Sequence, residues 1–192
     1  IYKENGCEFR LNIDTCYFSP RLSEERKRIA ELVRKGERVL VMFGGVAPFA
    51  IVMGKMKKAK EVVSVELGRE CTKYALMNVK RNKLDGIVSV VSGDVRRVVG
   101  KSKKVTGTFD RIVMARPNLE DSFLDVAFRV SKKGTLIHYY GFYHESEVEK
   151  LRDLIVNEAV GAKKRVKIER IVKAGDIGNR KYRYRADFVR LN

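Results

Sequence analysis

Three clusters in this chain have the residue types and spacing of a nucleotide-handling site. Val41-Met42-Phe43-Gly44-Gly45-Val46-Ala47-Pro48-Phe49 joins an apolar run of strand length to a segment of helical period. Glycines in such a turn let a bulky ligand approach the backbone, and the following helix aims unpaired N–H groups at it. About twenty residues further on, Glu66 closes a second apolar run, where a carboxylate can accept hydrogen bonds from both ribose hydroxyls. Ser92-Gly93-Asp94 ends a third run, and Asp94 there can accept from an adenine amino group. Each alone is an ordinary loop. Together, at three successive strand ends, they predict a nucleoside-containing cofactor held by Phe43, Gly44, Gly45, Val46, Ala47, Glu66 and Asp94. These residues do not separate S-adenosylmethionine from NAD, although the lack of a full G-x-G-x-x-G counts against NAD. Elsewhere, Glu24 and Glu25 follow Ser23, a plausible N-cap, where the helix dipole alone favours carboxylates.

The elements that must position these groups alternate from Arg38 onward between strand-length apolar runs and helical periods, the pattern of an α/β domain with a mainly parallel sheet. Strands are expected at 40–43, 62–66, 87–91, 110–114 and 134–140, with helices at 47–57, 69–82, 121–130 and 144–160. Two basic, β-rich runs, 165–172 and 182–191, flank a turn-rich loop at 174–179 and are expected to pair as an antiparallel hairpin. Seven strands in this order match the Rossmann-like sheet of class I S-adenosylmethionine methyltransferases better than that of a dinucleotide dehydrogenase. Residues 1–20 read as an N-terminal β appendage ahead of a helix at 23–35, and 21–192 as one Rossmann-like domain.

With 192 residues, 44% of them apolar, one hydrophobic core is the default. The regular apolar runs exclude a disordered or fibrous chain. No stretch approaches the ~20 apolar residues of a spanning helix, and the opening residues lack a signal peptide's layout. Three cysteines without C-x-x-C spacing encode neither a disulfide framework nor a zinc site, so a cytoplasmic protein without metal is expected. The missing initiator Met suggests a piece of a longer chain. Lys and Arg number 41 against 24 Asp and Glu, a net charge of +17, which favours a polyanionic partner such as RNA or DNA. A thermophile-like solvated surface is the plainer reading, and the absence of Gln gives it weight.

Several motifs carry a resemblance. Phe18-Ser19-Pro20-Arg21-Leu22-Ser23-Glu24-Glu25-Arg26 is similar to F-S-P-R-L-x-x-E-R, and the 42–49 loop to D-M-F-A-G-V-G-P-F. Asp110–Met114 with Pro117, and Gly134-Thr135-Leu136-Ile137-His138-Tyr139-Tyr140, follow the same pattern. Over nearly its whole length the chain resembles the catalytic domain of archaeal and eukaryotic tRNA (guanine(37)-N(1))-methyltransferases and the related wybutosine-pathway aminocarboxypropyl transferases. The resemblance implies methyl transfer from S-adenosylmethionine to N1 of the tRNA guanine 3′ of the anticodon; a monomer is expected. It implies Glu25 as general base, Arg26 steadying that carboxylate or the charge on the guanine oxygen, and Pro117 in the catalytic loop. Arg21, Arg116 and Asn118 are then expected to contact the RNA.

Three positions depart from the pattern. Val41 replaces a strand-end Asp, Ala47 replaces the second loop Gly, and Ala115-Arg116-Pro117-Asn118 lacks the Asn that holds the target base. The missing Asn keeps an aminocarboxypropyl transferase in play, and Val41 and Ala47 do the same for a catalytically degenerate, RNA-binding member. The family's N-terminal tRNA-recognition domains have no counterpart here. The 161–192 segment carries eleven Lys and Arg against three acidic residues, with Tyr182 and Tyr184 interleaved. It reads either as an RNA-contacting hairpin or as one with a solvated basic face and tyrosines in the core. His138 reads as a hydrogen-bonded core or edge histidine and His144 as surface. Tyr139, Tyr140, Phe142 and Tyr143 read as core, with a base-pocket wall as the alternative.

Overall fold

Strand β3 (Arg38–Met42) shows how one sheet faces two cores. Alternate side chains point to opposite faces, so Leu40 and Met42 enter one apolar cluster while Val39 and Val41 enter the other. The computed structural model describes residues 1–192. Its other elements are β1 (Tyr2–Glu4), β2 (Cys7–Phe9), α1 (Ser23–Leu32), α2 (Pro48–Lys55), β4 (Glu61–Glu66), α3 (Arg69–Arg81), β5 (Val88–Ser92) and α4 (Val95–Val98). They continue as β6 (Phe109–Met114), α5 (Leu124–Arg129), β7 (Ser131–His144), α6 (Val148–Gly161), β8 (Val166–Gly178) and β9 (Lys181–Arg190).

The seven-stranded sheet runs β5-β4-β3-β6-β7-β9-β8, with β9 antiparallel to both of its neighbours and the other pairings parallel. Helices α1, α2 and α3 cover the face carrying Val39, Val41 and Tyr140. The face carrying Leu40, Met42 and Tyr139 packs against α5 and α6. Chain order reverses between β3 and β6, and the crevice at such a switch point, beyond the strands' carboxyl ends, is where open α/β sheets take ligands. No helix is long and apolar enough to cross a membrane.

Strand count, order and terminal hairpin are as expected; some boundaries are not. The 174–179 stretch is not a loop, because β8 continues to Gly178 and the chain reverses at Asn179-Arg180, both at positive φ as tight two-residue hairpin turns require. Helix α5 starts at Leu124 rather than 121, since Phe123 is left-handed (φ 58°) and the Asp121 carboxylate accepts from its N–H. Strand β7 runs on through Phe142, Tyr143 and His144, so the next long helix begins at Val148. Ser23 is the first residue of α1 and not its N-cap, because a 3-10 turn at Pro20–Leu22 leads directly into the helix.

The β1–β2 hairpin is bolted to the domain. Asn78 of α3 and Asn82, its C-cap, hydrogen-bond the backbone of Arg10 and Glu8, and Phe9 is wholly buried. Glu4 forms a buried bidentate ion pair with Arg26, at 2.5 Å on both sides.

Candidate active site

At the switch point lies a cavity of about 690 Å³, within the usual range for small-molecule sites. One side is built from strand tips. Phe43, Gly44 and Gly45 leave β3 in a strained turn, with left-handed φ at Phe43 (62°), Gly45 (56°) and Ala47 (65°). At Gly44 a Cβ would come within 2.1 Å of the Ser64 Oγ, so any side chain there would have to displace that hydroxyl. The turn is held by Gly44 N–H on the Val65 carbonyl (2.9 Å) and by Gly45 N–H on Glu66 Oε2 (2.8 Å). Glu66 Oε1 accepts from Gly68 N–H at 2.7 Å. Each Glu66 oxygen thus takes one backbone donor and keeps acceptor capacity for a ligand hydroxyl. Asp94 caps α4 through Oδ1, accepting from Arg96 N–H at 2.8 Å, and also lines the cavity. Phe43, Val65, Leu67, Val95 and Phe123 give this side apolar walls, with Phe43 and Phe123 packed edge to face at 5.1 Å.

The other side is made by β7, β9 and the turn before α1. Tyr140, Phe142 and Arg183 line it, with Tyr17, Phe18, Leu22, Arg26 and Pro117. Arg183 sits over the Phe142 ring (4.9 Å) and donates to the Tyr17 hydroxyl (3.3 Å). Glu25 lies behind this wall, 4% exposed, and is not among the lining residues. Its Oε1 accepts from the Tyr140 hydroxyl at 2.7 Å and from Arg185 Nη1, while its buried Oε2 has no partner.

Glu25 ends a chain of buried charges that crosses the sheet on the α1 side. Arg185 and Tyr140 are register partners on β9 and β7, as are Asp187 and His138. Asp187 accepts from Arg185 Nε (2.8 Å), Arg170 Nε (2.5 Å) and His138 (2.6 Å). Arg111 donates to His138 Nε2 at 2.7 Å, and a guanidinium cannot accept, so the imidazole carries its proton on Nδ1 and donates to Asp187. Arg111 is anchored in turn on Glu37 and the Leu32 carbonyl. Burial pushes His138 below its usual range, against the pull of Asp187, so it is neutral here. Burial works against the Asp187 charge too, but the His138 hydrogen bond and the Arg185 and Arg170 contacts outweigh it and hold the carboxyl low. Burial, reinforced by Glu25, raises Tyr140 well above a free phenol. Cys71 lines the cavity with its thiol pushed up to about 12, chiefly by burial, so it supplies no thiolate nucleophile.

A family model described as the TRM5/TYW2 methyltransferase domain matches residues 1–173. The chain belongs to the TRM5/TYW2 methyltransferase family. It is 34% identical over 193 residues to the tRNA (guanine(37)-N(1))-methyltransferase Trm5b of Pyrococcus abyssi, covering 98% of this chain and 54% of that protein. The crystal structure of that Trm5b superposes with a TM-score of 0.88 at 32% identity, over 100% of this chain and 56% of the other. A Methanocaldococcus jannaschii tRNA(Phe) (4-demethylwyosine(37)-C(7)) aminocarboxypropyltransferase is 31% identical over 79% of this chain and 57% of its own. The structure of M. jannaschii TYW2 in complex with AdoMet has a TM-score of 0.87 at 27% identity, covering 99% of this chain and 85% of that one. This chain therefore spans about half the length of the P. abyssi relative.

Within this TRM5/TYW2 domain, Phe43, Gly44, Gly45, Glu66, Asp94, Arg116 and Pro117 meet at one cavity. Arg26 lines it too, whereas Glu25, Val46, Ala47, Arg21 and Asn118 do not reach it. Val46 and Ala47 are buried behind the loop, where Val46 presents its carbonyl to Asn78. Arg26 does not steady Glu25: its charge is taken by Glu4, and Arg185 supplies the guanidinium on Glu25. Arg116 is 5% exposed and curls back onto the carbonyls of Leu119 and Asp121, over the Tyr139 ring, so it is not open to RNA phosphate. Arg21 and Asn118 are exposed and outside the cavity lining. Val41 packs in the α1–α3 core, where an Asp would be buried among apolar neighbours.

The basic face expected on the terminal hairpin is only partly solvated, because β9 is an interior strand. Arg185 and Asp187 are buried beside Tyr184. Tyr140 and Phe142 line the cavity, the wall position given as the alternative to a core role, while Tyr139 and Tyr143 do not; Arg185 and Asp187 are the members the sequence reading missed. Charges at alternate positions of one strand, 183, 185 and 187, were the available signal.

Proposed function

We propose that this chain is the catalytic domain of an enzyme that methylates N1 of the tRNA guanine immediately 3′ of the anticodon, using S-adenosylmethionine and Glu25 as general base. The donor set fits that cofactor: two strand-tip carboxylates, Glu66 for ribose hydroxyls and Asp94 for an adenine amino group, flank apolar walls beside a glycine turn. When bound, S-adenosylmethionine supplies a methyl group on a positively charged sulfur. The chain's own task is to orient the guanine and to receive its N1 proton. The observation that carries this reading is Glu25, a buried carboxylate pinned through one oxygen by Tyr140 and Arg185, with the other oxygen unpartnered. Pro117, Phe142 and Arg183 line the cavity on the side of β7 and β9, the wall this reading assigns to the target base. The exposed Arg21 and Asn118 lie outside that wall, available to the polynucleotide.

Aminocarboxypropyl transfer to a modified guanine is the second reading, favoured by Ala115 where an Asn would hold the base and by the 31% identical transferase. The mass of tRNA after incubation with the full-length chain and S-adenosylmethionine separates the readings: a methyl increment supports the first, an aminocarboxypropyl increment the second, and no increment a degenerate site. In the same assay Glu25→Gln is expected to lower transfer about 100-fold or more while cofactor affinity is kept. An unchanged rate removes Glu25 as base.

A further inference from the structure

We propose that Tyr140 is itself a catalytic residue, a relay that takes the proton from guanine N1 and passes its own hydroxyl proton to Glu25. The inference rests on the methyl-transfer reading above. It starts from a mismatch: Glu25, the expected base, is not among the residues lining the cavity, whereas Tyr140, itself only 2% exposed, is. The Tyr140 hydroxyl donates to Glu25 Oε1 at 2.7 Å, and no protein donor occupies its oxygen, so its lone pairs are free to accept. Its place is fixed from two directions. The ring packs against Phe49 at 5.9 Å, and its register partner Arg185 binds the same Glu25 oxygen. A base reached through a neutral hydroxyl gains geometric control without exposing its carboxylate to water.

The step balances. As the N1 electron pair forms the bond to the methyl carbon, the bond from that carbon to sulfur breaks and its pair stays on sulfur, which becomes a neutral thioether. The N1 proton moves to the Tyr140 oxygen, and the former hydroxyl proton moves to Glu25, which ends as a carboxylic acid. Tyr140 is unchanged overall. Burial and Glu25 keep it from ionising, so it acts as a conduit and not as a phenolate base.

Tyr140→Phe tests this in the full-length chain. Single-turnover transfer to an unmodified tRNA transcript with guanine 3′ of the anticodon is measured beside Glu25→Gln, with a calorimetric Kd for S-adenosylmethionine and a melting curve for each variant. Tyr140→Phe is expected to slow transfer by about 100-fold or more, with Kd within about threefold of wild type. A Tyr140→Phe rate within about threefold of wild type, with Glu25→Gln inactive, overturns the relay and leaves Glu25 as a direct base. An active Glu25→Gln removes the base reading itself. If Tyr140→Phe does not fold or loses the cofactor, the rate of the unaltered protein in mixtures of light and heavy water decides. Two protons in flight give a curved dependence on deuterium fraction, which supports the relay, and a straight line overturns it.

Discussion

The two halves of the cavity are built on different principles. The half at the tips of β3, β4 and β5 is mostly backbone: a strained glycine turn, N–H groups, and two carboxylates tied locally to them. The half at β7 and β9 is side chain: Glu25, Tyr140, Arg185, Asp187, His138 and Arg111 form a continuous row of charged and polar groups out of solvent. Loss of one local carboxylate removes a contact. Loss of one member of the buried row strands its neighbours without water, at a much higher cost. The first half should tolerate change in stability and register it in affinity; the second should do the reverse.

The sharpest way to break this contrast is Arg185→Ala. It leaves Glu25 and Asp187 buried without their shared cation, which costs about 3–5 kcal/mol and lowers the melting temperature by on the order of 10 °C. Melting like wild type would mean that the row is ornamental. Glu66→Ala addresses the other half. Calorimetric titration should show S-adenosylmethionine binding weakened by about 10- to 100-fold, the size of hydrogen bonds to a charged group, with a smaller loss of stability than Arg185→Ala.

The third prediction uses pH. The His138 pKa is lowered from 6.5 in the folded protein, so the unfolded chain binds its proton more tightly. Its contribution to stability is complete above about pH 6.5 and is lost as pH falls toward the folded value, at up to about 1.4 kcal/mol per pH unit for one proton. Asp187, lowered from 3.8, adds a further loss below about pH 4 in the same direction. Denaturation midpoints at pH 7.5 and 5.5 should differ in the unaltered protein, and His138→Asn should flatten that difference. The smallest effect belongs to Ala47→Gly. Glycine relieves a left-handed alanine and should stabilise by about 0.5–1 kcal/mol, visible as a small rise in melting temperature.

The same contrast decides what was legible in the sequence. Glycines 44 and 45, Glu66 and Asp94 could be placed because each answers a local demand at the end of an apolar run. The mainly parallel α/β sheet followed from alternating strand and helix periods. The buried row was hidden because Arg183, Arg185 and Asp187 alternate along β9 just as an amphipathic edge strand would. Only the pairing of β9 between β7 and β8, with α1 over that face, shows that positions 185 and 187 are out of solvent. Arg26 was misread for a similar reason, since its partner Glu4 arrives from a separate hairpin. Arg116 was misread because the path of its own loop, not its charge, decides where the guanidinium goes.

The clamp of Glu4 on Arg26 limits how this catalytic core may be trimmed for engineering or crystallisation. Arg26 sits in the cavity wall, and its charge is balanced from outside the helix that carries it. A version begun after Phe9 would retain every residue of the seven-stranded sheet yet leave the Arg26 guanidinium in the cavity wall without its counter-charge. The first nine residues therefore belong to the cavity as much as the strands do.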